Sequence, residues 1–331
     1  MVSDLDDLIK LAPGKQHIVV LAEAADERMI RAARILAEQE IASPILTGDE
    51  EKIRSIANSV SISLDDIDVV NPASDTQDMN RYIALCTNGP RPLKPAIAQR
   101  LMRKTLMYSA MMVQSGDAHA MIAGSSVPTA RVIEAGMMII GTEESVATTS
   151  SYFLMTLSGS DSAESRYLIF ADCAVNVNPT AEQLADIACS TALNAKLLLT
   201  DDPRIAFLSF SSKGSARHKM VSKVASAVDL TRERLPDMLI DGEFQFDTAF
   251  DERTATLKLK EPSPVAGQAN VFIFPDLNAG NIGYKLTQYL AGAQAIGPIL
   301  QGFAKPISDL SRGATVDDIV KATVVLLATI E

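Results

Sequence analysis

The sequence contains no tryptophan, and aromatic residues make up only 5% of it. With so few large rings to fill space, the interior has to be built mainly from aliphatic side chains, as in layered α/β proteins. Cations are the scarcer charged class. The 30 Lys and Arg against 41 Asp and Glu leave a formal net charge of −11. A phosphodiester partner normally calls for a basic face, so this balance disfavours nucleic acid. Cysteine is sparse as well: Cys86, Cys173 and Cys189 are odd in number and far apart. That pattern is expected of reduced thiols in a cytoplasmic protein rather than of a disulfide framework. No CxxC motif or cysteine–histidine spacing suggests a zinc site, and no metal is expected. The longest apolar run, "TVVLLATI", is too short to span a bilayer, so no membrane partner is expected. The acidic N-terminus "MVSDLDDLIK" lacks the apolar stretch of a signal peptide.

What is present is a well-cored chain of 331 residues, 47% apolar and 21% charged, enough for one large or two ordinary domains. "HIVVLAE" (17–23) is a short β-branched run, "DERMIRAARILAEQE" follows with helical periodicity, and "IASPILTG" (41–48) reads as the next strand. A helical stretch is expected over roughly 93–115. After it, "AHAMIAG" is a strand running into a Gly-Ser loop, and "PTARVIEAGMMII" is a helix with Pro128 in its first turn. The second half repeats the alternation. "SRYLIFADCAV" (165–175), "RIAFLSFSS" (204–212) and "ANVFIFPDL" (269–277) are strands separated by helical segments. The expected class is α/β, with mostly parallel sheets covered by helices.

Strand ends that run into Gly- or Ser-rich loops are where α/β proteins place ligands. "AGSSVPT", "LSFSSKGSA" and "FPDLNAGN" are such ends, and each can present backbone N–H groups to an anion or be an ordinary turn. None matches the P-loop or the GxGxxG dinucleotide fingerprint, which argues against a Rossmann dehydrogenase. Near the C-terminus, "SDLSRGATVDDIV" (308–320) sets Ser311 beside Arg312 and places Asp317 and Asp318 soon after. Taken alone, the segment has three readings: Ser311 as a nucleophile, Asp318 as a base, or a helix start. Thr315 and Asp318 have capping-box spacing, so the last reading is compatible with the second. No histidine lies near Ser311 in sequence, which weakens a Ser-His-Asp arrangement without excluding partners that meet in space.

The stretch "ANVFIFPDLNAGNIGYKLTQYLAGAQAIGPILQGFAKPISDLSRG" (269–313) closely resembles phosphate acetyltransferases. So do "EAADERMIRAA", "ESRYLIFADCAVNVNPTAEQLADIA", "LSFSSKGSARHKM" and "DGEFQFDTAF", in the same order. The resemblance implies acyl transfer between an acyl phosphate and the thiol of coenzyme A, with acetyl the default acyl group. It implies two α/β domains with the active site in the cleft between them: 1–145 plus 298–331, and 146–297. It further implies homodimers, no metal, no permanently bound cofactor and no obligatory acyl-enzyme. Coenzyme A or acetyl-CoA, acetyl phosphate and inorganic phosphate would be the small-molecule partners.

Residue by residue, the resemblance gives Asp318 the role of base on the thiol. It makes Ser311 a hydrogen-bond donor to the reacting carbonyl and Arg312 the clamp on phosphate oxygens. A salt bridge from Arg312 to Asp309 or Asp317 is the plainer alternative. "AGSSVPTARVIEAG" (123–136) occupies the place of the family's acyl-phosphate loop. Ser125, Ser126 and Thr129 are its hydroxyl candidates. Val127 stands where the family has histidine, Arg131 where it has aspartate, and Glu134 where it has arginine. Arg131 lies one turn before Glu134, so it either substitutes for the missing arginine or pairs with Glu134. Cys86 falls at a second family arginine, with Arg91 the nearest substitute. Asn278, Gly280, Asn281, Tyr284 and Lys285 are the candidates for coenzyme A. Cys173, His119 and His218 read as structural. Two other functions stay open: a propionyl- or butyryl-specific phosphate acyltransferase, and a weakly active regulatory module that binds acetyl-CoA.

Overall fold

A computed structural model describes residues 16–89, 92–144, 146–157 and 166–330. The chain divides into two compact units, Met1–Glu143 with Phe303–Glu331, and Glu144–Gly302.

The first unit contains β1 (Ile18–Leu21), α1 (Glu27–Glu38), β2 (Ser43–Thr47), α2 (Glu50–Ser59), β3 (Asp68–Val70), α3 (Gln77–Asn88), α4 (Pro95–Met102), α5 (Thr105–Ser115), β4 (Ala120–Ala123) and α6 (Thr129–Ala135). The returning C-terminal segment adds β11 (Ile307–Asp309) and α12 (Val316–Leu327). The strands lie in the order β3-β2-β1-β4-β11, and every pair is parallel. Helices on both faces account for the sequence of the central strands: "AMIA" of β4 is buried at every position. α1 buries Met29, Ile30, Ala33 and Leu36 and turns the Arg31–Glu27 ion pair to solvent, as its periodicity predicts. Because β1, β4 and β11 are parallel neighbours, the loops that leave them emerge along one edge.

The helix expected over 93–115 is two helices. Lys104 is extended and separates α4 from α5. The break has a packing reason: α4 buries only Ala98, Leu101 and Met102, whereas α5 is buried continuously from Met107 to Val113. The segment after α6 continues as a π-turn, Gly136–Ile140, rather than an α-helix. There Gly136 passes so close to Phe303 that an added Cβ would lie 2.7 Å from its ring.

The second unit contains β5 (Ser150–Leu157), β6 (Arg166–Ala171), α7 (Ala181–Leu198), β7 (Arg204–Leu208), α8 (Lys219–Arg234), β8 (Leu239–Phe244), α9 (Phe246–Phe250), α10 (Glu252–Lys258), β9 (Val271–Ile273), α11 (Leu277–Ala291) and β10 (Gln294–Gln301). The order is β10-β5-β6-β9-β7-β8, with β5 antiparallel to β6 and β10 and the other pairs parallel. The aliphatic interior expected from the composition holds less well here, because the scarce aromatics are concentrated. Phe153, Phe170, Phe244, Phe272, Phe274 and Tyr284 share one core, with Tyr284 stacked on Phe153 at 4.2 Å between ring centres.

α11 enters this core through Gly280. An added Cβ would lie 2.3 Å from the carbonyl oxygen of Asp172. Gly280→Ala is expected to destabilise the protein by about 1–3 kcal/mol through overpacking, read from urea unfolding. An unchanged midpoint would show that the helix is not seated against that carbonyl.

Candidate functional site

Each of the Gly- and Ser-rich loops gives part of its N–H groups to the protein itself. Each closes on a carboxylate of the protein. Glu23, at φ +61 after β1, accepts from Gly124 N at 2.7 Å and Ser126 N at 3.2 Å, and from Ser126 Oγ. In the second unit Glu243 accepts from Gly214 N and Ser211 Oγ, each at 2.8 Å. Asp276 caps α11 by accepting from Ala279 N at 3.0 Å. Internal carboxylates thus take up some of the N–H groups in each loop.

One cationic side chain, Arg28, organises the first unit's edge. Its Nε and Nη2 engage Asp26 at 3.1 and 2.7 Å. Nη2 also donates to Ser125 O at 3.0 Å, while Nη1 donates to Arg312 O at 2.9 Å and Ala314 O at 2.8 Å. One guanidinium thus ties the loops that follow β1, β4 and β11. Burial pushes the Asp26 carboxyl up, but its hydrogen bonds and charge contact with Arg28, together with Ser125, outweigh this and hold it below the ordinary aspartate value.

On the loop held by Arg28, Ser311 Oγ accepts from Gly313 N at 3.3 Å, which leaves its proton free to donate. His119 accepts from Ile18 N and His218 caps α8, so neither serves Ser311 as a base. Arg312 is exposed, and its guanidinium has no partner among the described residues. The salt bridges weighed for it are not formed: Asp317 pairs with Lys321 at 2.9 Å, and Asp309 is buried. The capping box expected of Thr315 and Asp318 is present. Asp318 Oδ2 accepts from Thr315 N at 2.9 Å and Thr315 Oγ1 at 2.8 Å, so the other carboxylate oxygen is left without a protein donor.

Two of the remaining hydroxyl candidates are engaged within the protein: Ser126 donates to Glu23, and Thr129 Oγ1 donates to Asp309 Oδ2 at 2.5 Å. Ser125 is buried near Asp26 with its hydroxyl unpaired. Arg131 pairs with Glu134 at 2.6 Å, the second of its two expected fates. Cys86 is buried on α3, where burial pushes its thiol up, and Arg91 lies outside the described residues. A cavity of about 630 Å³ opens beside this loop, lined in part by Ser126, Val127, Arg131, Lys52 and Lys104. Its acids are already engaged: Glu23 by the loop, Asp26 by Arg28 and Glu134 by Arg131. Lys52 and Lys104 have no ion-pair partner among the described residues, and Glu23 is held by neutral donors only.

The coenzyme A candidates lie in the second unit, on α11. Gly280 packs on Asp172, Asn281 Nδ2 donates to Cys173 O at 3.2 Å, and Tyr284 is stacked in the core. Asn278 and Lys285 are the exposed members of the set. Cys173 is fully buried as expected, but it lies in the loop after β6, which ends at Ala171 rather than running to 175.

The sequence reading missed Glu23, Asp26, Arg28 and Asp309 as site-building residues. Their signal was present in "EAADER" and "SDLSRG", but their partners lie 97 to 286 residues away for all but the Asp26–Arg28 pair. Asp309 stands out electrostatically. Burial pushes its carboxyl up to about 6 despite hydrogen bonds from Thr129 and Leu310 N–H, and Glu23 adds repulsion.

Residues 4–327 match the family model for phosphate acetyl/butaryl transferase. The phosphate acetyltransferase of Clostridium acetobutylicum is 40% identical over 325 residues, covering 97% of this chain and 96% of that protein. That of Treponema pallidum is 44% identical over 319 residues, 94% of each. Among solved structures, a phosphotransacetylase from Streptococcus pyogenes superposes with a TM-score of 0.88 at 38% identity, covering 98% of this chain and 97% of that one.

Arg28→Ala removes charged hydrogen bonds to the loops after β4 and β11. It is expected to cost about 2–3 kcal/mol, and a urea midpoint unchanged from wild type would contradict the tie. Asp309 gives a pH-dependent test. Its folded value lies above the unfolded 3.8, so its ionisation weakens the fold as pH rises between about 4 and 6. Asp309→Asn is therefore expected to be more stable than wild type by about 1–3 kcal/mol at pH 7.5, with the advantage vanishing below pH 4. An equal difference at both pH values would sink this reading.

Proposed function

This chain is a member of the phosphate acetyl/butaryl transferase family, and from that premise we propose that it transfers an acetyl group between acetyl phosphate and coenzyme A within a ternary complex. It is an acyltransferase. The observation that carries the mechanistic reading is the unpaired Arg312 guanidinium on a loop whose backbone is held by Arg28.

In this reading the acyl phosphate lies with its phosphate oxygens on Arg312, whose planar fork suits them. The Asp318 oxygen not engaged by Thr315 takes the proton of the coenzyme A thiol. The thiolate attacks the acyl carbon, and Ser311 donates a hydrogen bond to the carbonyl oxygen as negative charge develops there. The carbon–oxygen bond to phosphate then breaks, and the phosphate leaves on Arg312. In this reading Ser311 is a donor rather than a nucleophile, which is supported by its free hydroxyl proton and the lack of a base on it among the described residues. Lys52 and Lys104 add positive charge to the cavity that Glu134, at one of the replaced family arginines, also lines. On α11, Asn278 and Lys285 are the side chains available to coenzyme A. Ile282, Leu286, Tyr289 and Leu290, all more than half exposed on the same helix, supply an apolar stripe for the expected homodimer.

The test supplies coenzyme A with acetyl, propionyl or butyryl phosphate and follows thioester formation. Acetyl phosphate is expected to be the best substrate; a preference for propionyl or butyryl phosphate would overturn the acyl assignment, and no turnover with any of them would remove the enzymatic reading. Asp318→Asn keeps an acceptor for Thr315 and is expected to lower kcat by about 10²–10⁴-fold with little change in melting temperature. Full activity in that variant would exclude Asp318 as the base.

A further inference from the structure

Asp309 is a buried carboxyl that the acyl-transfer chemistry does not use. It ends β11, is 1% exposed, and lies directly beneath the loop that follows β4. Oδ2 accepts from Thr129 Oγ1 at 2.5 Å. Oδ1 is buried with no hydrogen-bond partner, pressed against Gly124 so closely that a Cβ there would lie 2.1 Å from it. An unpaired carboxylate oxygen in such a place is costly while the group is charged, and cheaper once it is protonated.

Burial and the charge of Glu23 favour the neutral acid, against hydrogen bonds from the Thr129 hydroxyl and the Leu310 N–H. Glu23, from the end of β1, grips the N–H of the same Gly124 and repels a negative Asp309. On α6, Arg131 is turned to Glu134. On α12, Asp317 is paired with Lys321 and Asp318 with the Thr315 cap. No cation among the described residues neutralises Asp309.

A threonine hydroxyl carries one proton. While Asp309 is ionised, that proton points at Asp309 Oδ2, and only lone pairs of Thr129 are left for a ligand, which is the wrong polarity for a phosphate oxygen. A protonated Asp309 reverses the bond. Its own O–H then donates to Thr129 Oγ1, and the threonine proton is released to point outward. We propose that Asp309 is a positioning residue whose protonation turns Thr129 into a donor for the substrate's phosphate, so that binding a tetrahedral dianion takes up one proton at Asp309. The proton comes from solvent and stays on the carboxyl while the dianion is bound; no covalent bond changes. The inference rests on the reading above that the loop after β4 faces the acyl phosphate. It adds a coupling between phosphate binding and pH that Asp318, on another element, does not provide.

Sulfate is the probe, because it is a tetrahedral dianion that does not titrate between pH 5.5 and 7.5. Its binding to the full-length protein is measured by titration calorimetry in two buffers of different ionisation enthalpy, which yields the number of protons taken up. Wild type is expected to bind sulfate about tenfold more weakly at pH 7.5 than at pH 5.5, with net proton uptake near pH 6. Asp309→Asn, whose amide donates to Thr129 at every pH, is expected to bind without uptake and with a flat pH profile. Thr129→Val is expected to lose both the uptake and the gain at low pH, and Thr129→Ser to restore them. Melting curves of each variant verify folding. Uptake that persists in Asp309→Asn or in Thr129→Val overturns the proposal, as does wild-type binding with no uptake. If wild type binds no sulfate while acyl transfer from acetyl phosphate proceeds, the phosphate role of Thr129 fails and this inference with it, but the acyltransferase reading stands.

Discussion

Everything at the edge of the first unit depends on how one guanidinium is satisfied. Arg28 is fixed by Asp26, two residues before it, and from there reaches carbonyl oxygens on the loops that follow β4 and β11. Carbonyls at the ends of parallel strands have no ladder partner and must find donors or water. A planar cation with five N–H groups can serve several at once, where a lysine would act as a single point. The backbone that carries Ser311 and Arg312 is thereby set relative to the backbone of Ser125. The side chains offered to a ligand inherit their positions from that contact.

A second constraint runs through both units. Each Gly- or Ser-rich turn after a strand offers N–H groups, and in each some of them go to a carboxylate of the chain itself: Glu23, Glu243 and Asp276. The net charge of −11 is thus partly internal architecture. On the loop after β11 the Arg312 guanidinium has no partner among the described residues. The same logic explains how Arg131 and Glu134 can occupy altered positions together: they neutralise one another at 2.6 Å.

The parts of the fold legible in sequence were those encoded locally. The strand–loop–helix alternation, the capping box at Thr315 and Asp318, and the burial of Cys173 each follow from a few neighbouring residues. Strands β5 and β10 were not read from the sequence, although "SSYFLMTL" is a continuously buried apolar run of the same kind as β4. The break at Lys104 was hidden because both flanking segments favour helix; only the depth to which α5 is buried requires it. At the site, the residue types were readable and their partners were not. "SSVPT" announces hydroxyls, but that Ser126 answers to Glu23 and Thr129 to Asp309 is decided by strand order, across 103 and 180 residues respectively. Of the positions that came through resemblance, Arg312 has a guanidinium with no partner among the described residues, whereas Ser311 accepts from Gly313 N and Asp318 is held by the Thr315 cap.

The central claim is direct transfer, with Ser311 donating a hydrogen bond and the acyl group never attached to the protein. Exchange of labelled inorganic phosphate into acetyl phosphate tests it most directly. Without coenzyme A the account predicts no exchange, because no acyl acceptor is present. With coenzyme A added, exchange should proceed at a rate comparable to net turnover. Label entering acetyl phosphate in the complete absence of coenzyme A would require an acyl-enzyme, and would return Ser311 to the role of nucleophile.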